Sequence, residues 1–405
     1  MLFLDLTHTS HTRARTGVQR VAGSLAAALG DRALPICHDP YLGGWRRLDG
    51  WERANLASTS PGPRRGARWP LHARLRGYLR RFGAGGKAAG LPAASRGGRA
   101  GADPGMAGVI CPEIFSPAVA AGLAPLFARA NGPRVAVFHD AIALRLPEMT
   151  PQKTVARFTS YMRELLSFDG IAAVSEDSRR SLLEYWDWLG VPSRPQVSAI
   201  PLGVDPPAAQ GPAAPSRGGA CAPAPVVLCV GTIEARKNHV ALLDACEQLW
   251  AGGAVFELRL IGMAQAETGQ AALKEIAELR GAGRTLRYDG AVDDATLAAA
   301  YRECAFTVYP SLMEGFGLPV LESLANGRPC VCSGQGALGE AARGGGCFTL
   351  AEVGAGELVG AISRLLSDPS ALATLAAEAR ARPLRTWAGY ARELTEWMGS
   401  LAPRR

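Results

Sequence analysis

"FTVYPSLMEGFGLPVLESLANGRPCVCS", residues 306–333, contains one complete structural unit. The run FTVYPS (306–311) has the β-branched and aromatic composition of a strand and ends at a proline and a serine. Gly315 and Gly317 permit tight backbone geometry, and Pro319 suits the first turn of a helix, PVLESLANG (319–327). PCVCS (329–333) then reads as a second strand. Strand, helix and strand in this order form a βαβ crossover, which requires a parallel sheet. The unit also carries two carboxylates eight positions apart, Glu314 in the loop and Glu322 in the opening helical turn, both toward the carboxyl end of the first strand. Taken singly, Glu322 complements a helix dipole, worth about 0.3–1 kcal/mol, and Glu314 is a solvated loop acid.

Working outward, the same alternation continues in both directions. PVVLCVG (225–231), FELRLIG (256–262) and TLRYDG (285–290) read as strands separated by the helix-period segments 239–253, 270–279 and 295–304. Toward the N-terminus, LFLDL (2–6), ALPIC (33–37), GVICP (108–112), RVAVFHD (134–140), GIAAVS (170–175) and VSAIPLGV (197–204) repeat the pattern, with helices predicted over 17–30 and 175–190. Between the halves, residues 206–224 are rich in Pro, Ala and Gly and have no periodicity, which marks a linker. The predicted architecture is α/β, with Rossmann-like domains at 1–205 and 225–385 facing each other across a cleft. A final helix over 386–405 is expected to cross back to the first domain. A length of 405 residues, 48% of them hydrophobic, suits two cores of this size.

Composition narrows the function. Nine cysteines without a C-x-x-C pair or metal-ligand spacing read as reduced thiols of a cytosolic protein. The opening MLFLDLTHTS meets Asp5 too soon for a signal peptide or anchor, and no run reaches the roughly 18 apolar residues of a membrane helix. A cytoplasmic protein is expected, peripheral at most to the inner face of the plasma membrane. Of the net charge of +8, residues 46–99 carry +11 and the remainder −3. So local a charge argues for an electrostatic patch and against a nucleic-acid-binding protein. Within the 41–107 segment, read as a Gly/Arg-rich insertion, WPLHARLRGYLRRF (69–82) sets Leu71, Leu75, Tyr78, Leu79 and Phe82 on one stripe among arginines. Such a basic amphipathic helix either packs its stripe on the domain or touches an anionic membrane.

Three further motifs bear on chemistry. VGTIEARKN (230–238) puts Arg236 and Lys237 just beyond a strand, where fixed cations stabilise a leaving diphosphate. Gly17 opens the first helix, where a glycine lets backbone amides approach a phosphate, and His139 and Asp140 end the strand RVAVFHD. Asp293 and Asp294 precede a helix and read as its N-cap. With no D-x-D after a suitable strand, no metal requirement is expected.

The string E-G-F-G-L-P-x-L-E, together with VGTIEARKN, DGAVDDATLAAAYRECAFTVYPS (289–311), GALGE (336–340), AVFHDAIALRLPE (136–148), AVSEDSRRSL (173–182) and PLGVD (201–205), resembles retaining nucleotide-sugar glycosyltransferases of the GT-B fold, in particular glycosyltransferase family four. The resemblance covers roughly residues 1–35 and 108–390. It implies catalytic roles for His139, Arg236, Lys237 and Glu314, with His139 and Glu314 contacting the donor sugar. It further implies donor contacts from Gly17, Gly231, Thr232, Val292, Gly315, Phe316, Gly317 and Leu318, and a ribose contact from Glu322. The string Gly231-Thr232-Ile233, with its cation delayed to Arg236, is similar to the mannosyl- and rhamnosyltransferase branch of bacterial surface-polysaccharide synthesis. That favours GDP-mannose as donor and a glycan or lipid-linked acceptor, with no other cofactor; UDP- or dTDP-sugar donors and an inactive GT-B scaffold are the alternatives.

Overall fold

The computed structural model describes residues 1–14, 16–58, 68–81, 108–205 and 224–402. Most of the predicted linker, together with residues 59–67 and 82–107 of the Gly/Arg-rich segment, Phe82 among them, therefore lies outside the described residues. The chain divides into two units: Met1–Asp140, Phe158–Leu202 and Trp387–Arg405 form the first, Ala141–Arg157 and Gly203–Thr386 the second.

The first unit is built on seven strands: β1 (Leu2–Asp5), β2 (Ala33–Asp39), β3 (Gly44–Arg47), β4 (Gly108–Cys111), β5 (Arg134–Phe138), β6 (Gly170–Ala173) and β7 (Gln196–Ala199). They lie in the order β3-β2-β1-β4-β5-β6-β7. All neighbours run parallel except β3, which returns antiparallel along β2. The interior strands are buried on both faces, as continuous apolar runs between helices require. Local sequence sets the helix starts: Ser175 accepts the Ser178 N–H at 3.0 Å, and Asp49 with Glu52 forms a reciprocal capping box for Gly50–Ala57.

The front of the Gly/Arg-rich segment is not a loose insertion. Arg46, on β3, donates to Asp39 (2.8 Å) and with two nitrogens to Glu52 (2.7 and 2.8 Å), and His11 closes the group on Glu52 at 2.7 Å. A buried arginine sharing two carboxylates is satisfied only when strand, helix and β1 loop are assembled together. Part of the local positive charge is thus internal and compensated.

The second unit holds β8 (Val226–Val230), β9 (Glu257–Ile261), β10 (Leu286–Tyr288), β11 (Phe306–Tyr309), β12 (Cys330–Ser333) and β13 (Cys347–Leu350), all parallel, in the order β10-β9-β8-β11-β12-β13. This is the doubly wound arrangement, whose direction of winding reverses between β8 and β11. Its main core packs Val227, Leu258, Leu260, Phe306 and Val308 against Leu242, Leu249 and Ile362 of the covering helices. In the first unit the corresponding reversal falls between β1 and β4. Ligands of such sheets bind beyond the carboxyl ends of the strands at the reversal, so these two places are where a site is sought.

Candidate functional site

At the reversal in the second unit, β8 is followed by Gly231, whose N–H donates to the Ile261 carbonyl at 2.9 Å. Across from it, Gly262 stands at φ +155°, and a Cβ there would lie 1.8 Å from the Gly231 oxygen. Only glycine allows the two strand ends to approach this closely. Past Thr232 the chain makes a short turn, Ala235–Lys237, and Asn238 takes a left-handed conformation (φ 55°) before the helix His239–Ala251. The turn is clamped to the end of β11: the Arg236 carbonyl accepts from Leu312 N–H (2.9 Å), and Arg236 Nη1 donates to the Met313 carbonyl (3.0 Å).

This clamp brings Arg236, Lys237 and Glu314 together. Lys237 Nζ donates to Glu314 Oε1 and to the Tyr309 hydroxyl, and its ammonium lies 4.7 Å from the centre of the Tyr309 ring. Arg236 Nη1 is 3.0 Å from the same carboxylate oxygen, while its Nη2 pairs with Glu234 at 2.7 Å. Tyr309 and Ser311 hydroxyls also donate to Glu314 Oε1, at 3.0 and 2.5 Å. All of these contacts fall on Oε1. Burial alone would raise the Glu314 carboxyl, but Arg236 and Lys237 outweigh it and hold the group at about 2. Burial likewise lowers the Lys237 ammonium, against the pull of Glu314.

The glycine turn follows. Gly317 caps the helix Leu318–Ala325 at φ 102°, where a Cβ would come within 3.0 Å of Leu338, so a side chain is excluded on both counts. Gly315 is buried, and Phe316 packs against the cluster of Tyr309, Leu321 and Leu338. Glu322 is the fifth residue of that helix, one position further in than the sequence suggested. It is buried and accepts from the Tyr301 hydroxyl at 3.1 Å. Val292 packs beside Tyr301, and Asp293 accepts the Thr296 N–H at 2.8 Å as the N-cap of Asp294–Glu303.

His139 and Gly17 belong to the first unit. His139 is buried just beyond β5, with Nε2 2.7 Å from the Pro112 carbonyl. A carbonyl only accepts, so Nε2 carries the proton and the neutral ring presents Nδ1 as an acceptor. Burial lowers its basicity, so the ring stays neutral at physiological pH. Gly17 is the first residue of the helix Gly17–Leu29, and nothing lies within 4 Å of where its Cβ would be.

Sequence reading missed several members of these sites. Tyr309, Ser311 and Tyr301 position the predicted charges, yet nothing marks them in the sequence except their place at strand and helix ends. At the reversal in the first unit, Asp5, the last residue of β1, and Glu113, just beyond β4, are buried. Glu113 accepts the N–H groups of His8 and Thr9 (both 2.7 Å), and Asp5 accepts from Thr7 N–H at 2.9 Å. Burial pushes Asp5 up to about 6, and burial together with the neighbouring Asp5 pushes Glu113 up to about 8.

Among the described residues, His11, Cys37 and Glu52 also meet the spacing of a metal site. Arg46 already occupies both oxygens of that glutamate. A guanidinium in that place disfavours a second cation, so this group does not fit a metal.

Comparison with known proteins shows what the second unit is similar to. Residues 219–382 match the family model of glycosyl transferases group 1. The matched region contains the whole Arg236-Lys237-Glu314-Glu322 constellation. The serotype-specific mannosyltransferase WbdA of Escherichia coli is 28% identical over 209 residues, 48% of this chain and 25% of that protein. The O-antigen chain mannosyltransferase B of Escherichia coli is 30% identical over 217 residues, 51% of this chain and 54% of that one. The chain thus spans between a quarter and about half the length of these relatives. Anabaena HepE, solved with UDP and glucose, matches over 99% of both chains with a TM-score of 0.67 at 19% identity. Sucrose-phosphate synthase from Thermosynechococcus elongatus matches over 98% of this chain and 97% of its own, with a TM-score of 0.64 at 19% identity. Likeness of this extent establishes the GT-B fold.

Proposed function

We propose that this chain is a metal-independent, retaining glycosyltransferase. It moves a hexose, mannose from GDP-mannose, to a glycan or lipid-linked acceptor of cell-surface polysaccharide synthesis at the inner face of the plasma membrane. The observation that carries the reading is the Arg236-Lys237-Glu314 cluster, with Lys237 buried and its two partners half-buried, at the strand reversal of the region that matches glycosyl transferases group 1. As the sugar leaves, negative charge builds on the β-phosphate of the nucleoside diphosphate, and two fixed cations in a water-poor site stabilise it where it forms. Glu314 keeps both cations in register through Oε1, and Oε2 accepts from the sugar hydroxyls. Glu322, oriented by Tyr301, accepts from the ribose diol, which a carboxylate does with two hydrogen bonds in one plane. The helix N-terminus behind Gly317 and the open approach to Gly17 let backbone amides face the diphosphate. His139, neutral and fixed on Pro112, orients the sugar through Nδ1 and is asked for no proton. The mannosyltransferase names of the curated relatives support the choice of sugar.

Incubation with GDP-, UDP- and dTDP-sugars tests this directly. Slow release of nucleoside diphosphate from GDP-mannose is expected, reduced about 10²–10³-fold in Glu314→Ala. Release from a UDP- or dTDP-sugar instead would replace the donor, and turnover of none would replace the enzyme with a scaffold.

A further inference from the structure

The helix Leu71–Arg81 is packed the wrong way round for a helix of a water-soluble domain. Leu71 is 80% exposed, Leu75 61%, Tyr78 48% and Leu79 45%, while Ala73 is buried at 2%. A helix that binds its own domain turns its leucines inward; here the small residues face inward and the large apolar ones face water.

This orientation is fixed by several independent contacts. Gly77 is buried so closely that a Cβ would lie 2.6 Å from Tyr41 Cβ. Arg76 pairs with Asp49. Just before the helix, Arg68 N–H donates to the His11 carbonyl at 2.8 Å, and the Trp69 ring lies tilted with its centre 4.1 Å from that of His11 and edge-on 5.4 Å from that of Tyr41. Rolling the leucines inward would break these contacts and drive a leucine into the space that only Gly77 fits. The exposed stripe is therefore a property of the folded domain.

On the helical wheel Leu71, Leu75, Tyr78 and Leu79 span about 100°, with Arg74 along one margin and His72 and Arg76 along the other. The helix contains no acidic residue. We propose that this face is a docking surface for an anionic phospholipid bilayer, with the helix lying in the interface plane. Four apolar side chains enter the headgroup boundary while arginine stems run alongside and place their charges on lipid phosphates. Lipid is the occupant because apolar insertion and cationic margins are needed at once. A second copy of the chain would present the same cationic margins and repel. The inference rests on the proposed function only in giving a lipid-linked acceptor the surface on which it is met.

Flotation of the full chain with vesicles tests it. Binding is expected to phosphatidylcholine vesicles containing phosphatidylglycerol at low salt, weakened at high salt and absent on phosphatidylcholine alone. Leu75→Ser with Leu79→Ser lowers the partition at least tenfold, and Arg74→Ser about fivefold. Leu75 and Leu79 are exposed, so in the double variant thermal unfolding and vesicle-free donor turnover stay at wild-type values. No flotation of wild type with anionic vesicles at low salt overturns the proposal, and so does undiminished flotation of the double variant. A wild-type dimer that the double variant converts to monomer assigns the face to a second copy and overturns it too. Flotation without turnover of any sugar nucleotide leaves this surface standing and removes the transferase reading.

Discussion

The two units place carboxylates at the same point of the same kind of sheet and treat them in opposite ways. Beyond β8 and β11, Glu314 sits between Arg236 and Lys237 and is held at about 2. At the ends of β1 and β4, the buried Asp5 and Glu113 accept from backbone amides and hydroxyls, and burial raises them to about 6 and about 8. A strand reversal therefore dictates where polar groups gather but not the charge state they adopt. One site is built around fixed charge, suited to a charged leaving group. The other uses a carboxyl to hold the loop Thr7–Thr9 in shape.

Three substitutions break this contrast at different strengths. Lys237→Ala removes a cation from the charged site, and turnover of the true donor is expected to fall about 10²–10³-fold in kcat. Steady-state kinetics check it; a loss confined to KM would make Lys237 a uniform binding contact. Glu113→Gln acts on the uncharged site through pH. Because the folded carboxyl titrates above its ordinary value of 4.5, its contribution to stability is complete below that value and is lost as pH rises through about 8. Glu314 runs the other way, contributing fully above 4.5 and losing its contribution as pH falls through about 2. Urea unfolding should show wild type weakening by about 2–4 kcal/mol on the alkaline side. The variant's alkaline limb should be flatter and its acid limb unchanged, and an equally steep alkaline limb would remove Glu113 as the cause. Gly17→Ala has the smallest effect. With open space around that position, stability should stay within about 0.5 kcal/mol by thermal unfolding. Donor affinity should still drop if backbone amides there approach a phosphate.

How much of this was legible depends on how far apart the interacting residues stand in the chain. β11, the Gly317 cap and the next helix are encoded within twenty residues, by β-branched runs, a positive-φ glycine and Pro319, and they read correctly. β3 (GWRR) was hidden in the Gly/Arg-rich segment because its strand character comes from pairing with β2, and Arg46 is buried only by Asp39 and Glu52. β13 (CFTL) is short, half-exposed and preceded by three glycines, so it has neither alternation nor a continuous apolar run. At the sites, Arg236, Lys237, Glu314 and Glu322 stood out as charges beside strand ends. Tyr309, Tyr301 and Glu113 did not, since their partners lie 72, 21 and 105 residues away. The leucine stripe at 71–79 was legible as a pattern, but its outward direction was not, because direction is set by Tyr41, His11 and Asp49.

The helix Trp387–Gly399 belongs to the first unit, where it packs along Gly17–Leu29. Two strand-opening glycines make room for this last stretch: a Cβ on Gly108 would meet Met398 at 2.4 Å, and one on Gly170 would meet Leu401 at 2.5 Å. During synthesis the groove over β4 and β6 must wait, empty and apolar, while nearly two hundred residues of another domain are made. The domain begun first is thus the one finished last, and its vulnerable period on the ribosome is set by how fast its neighbour is translated.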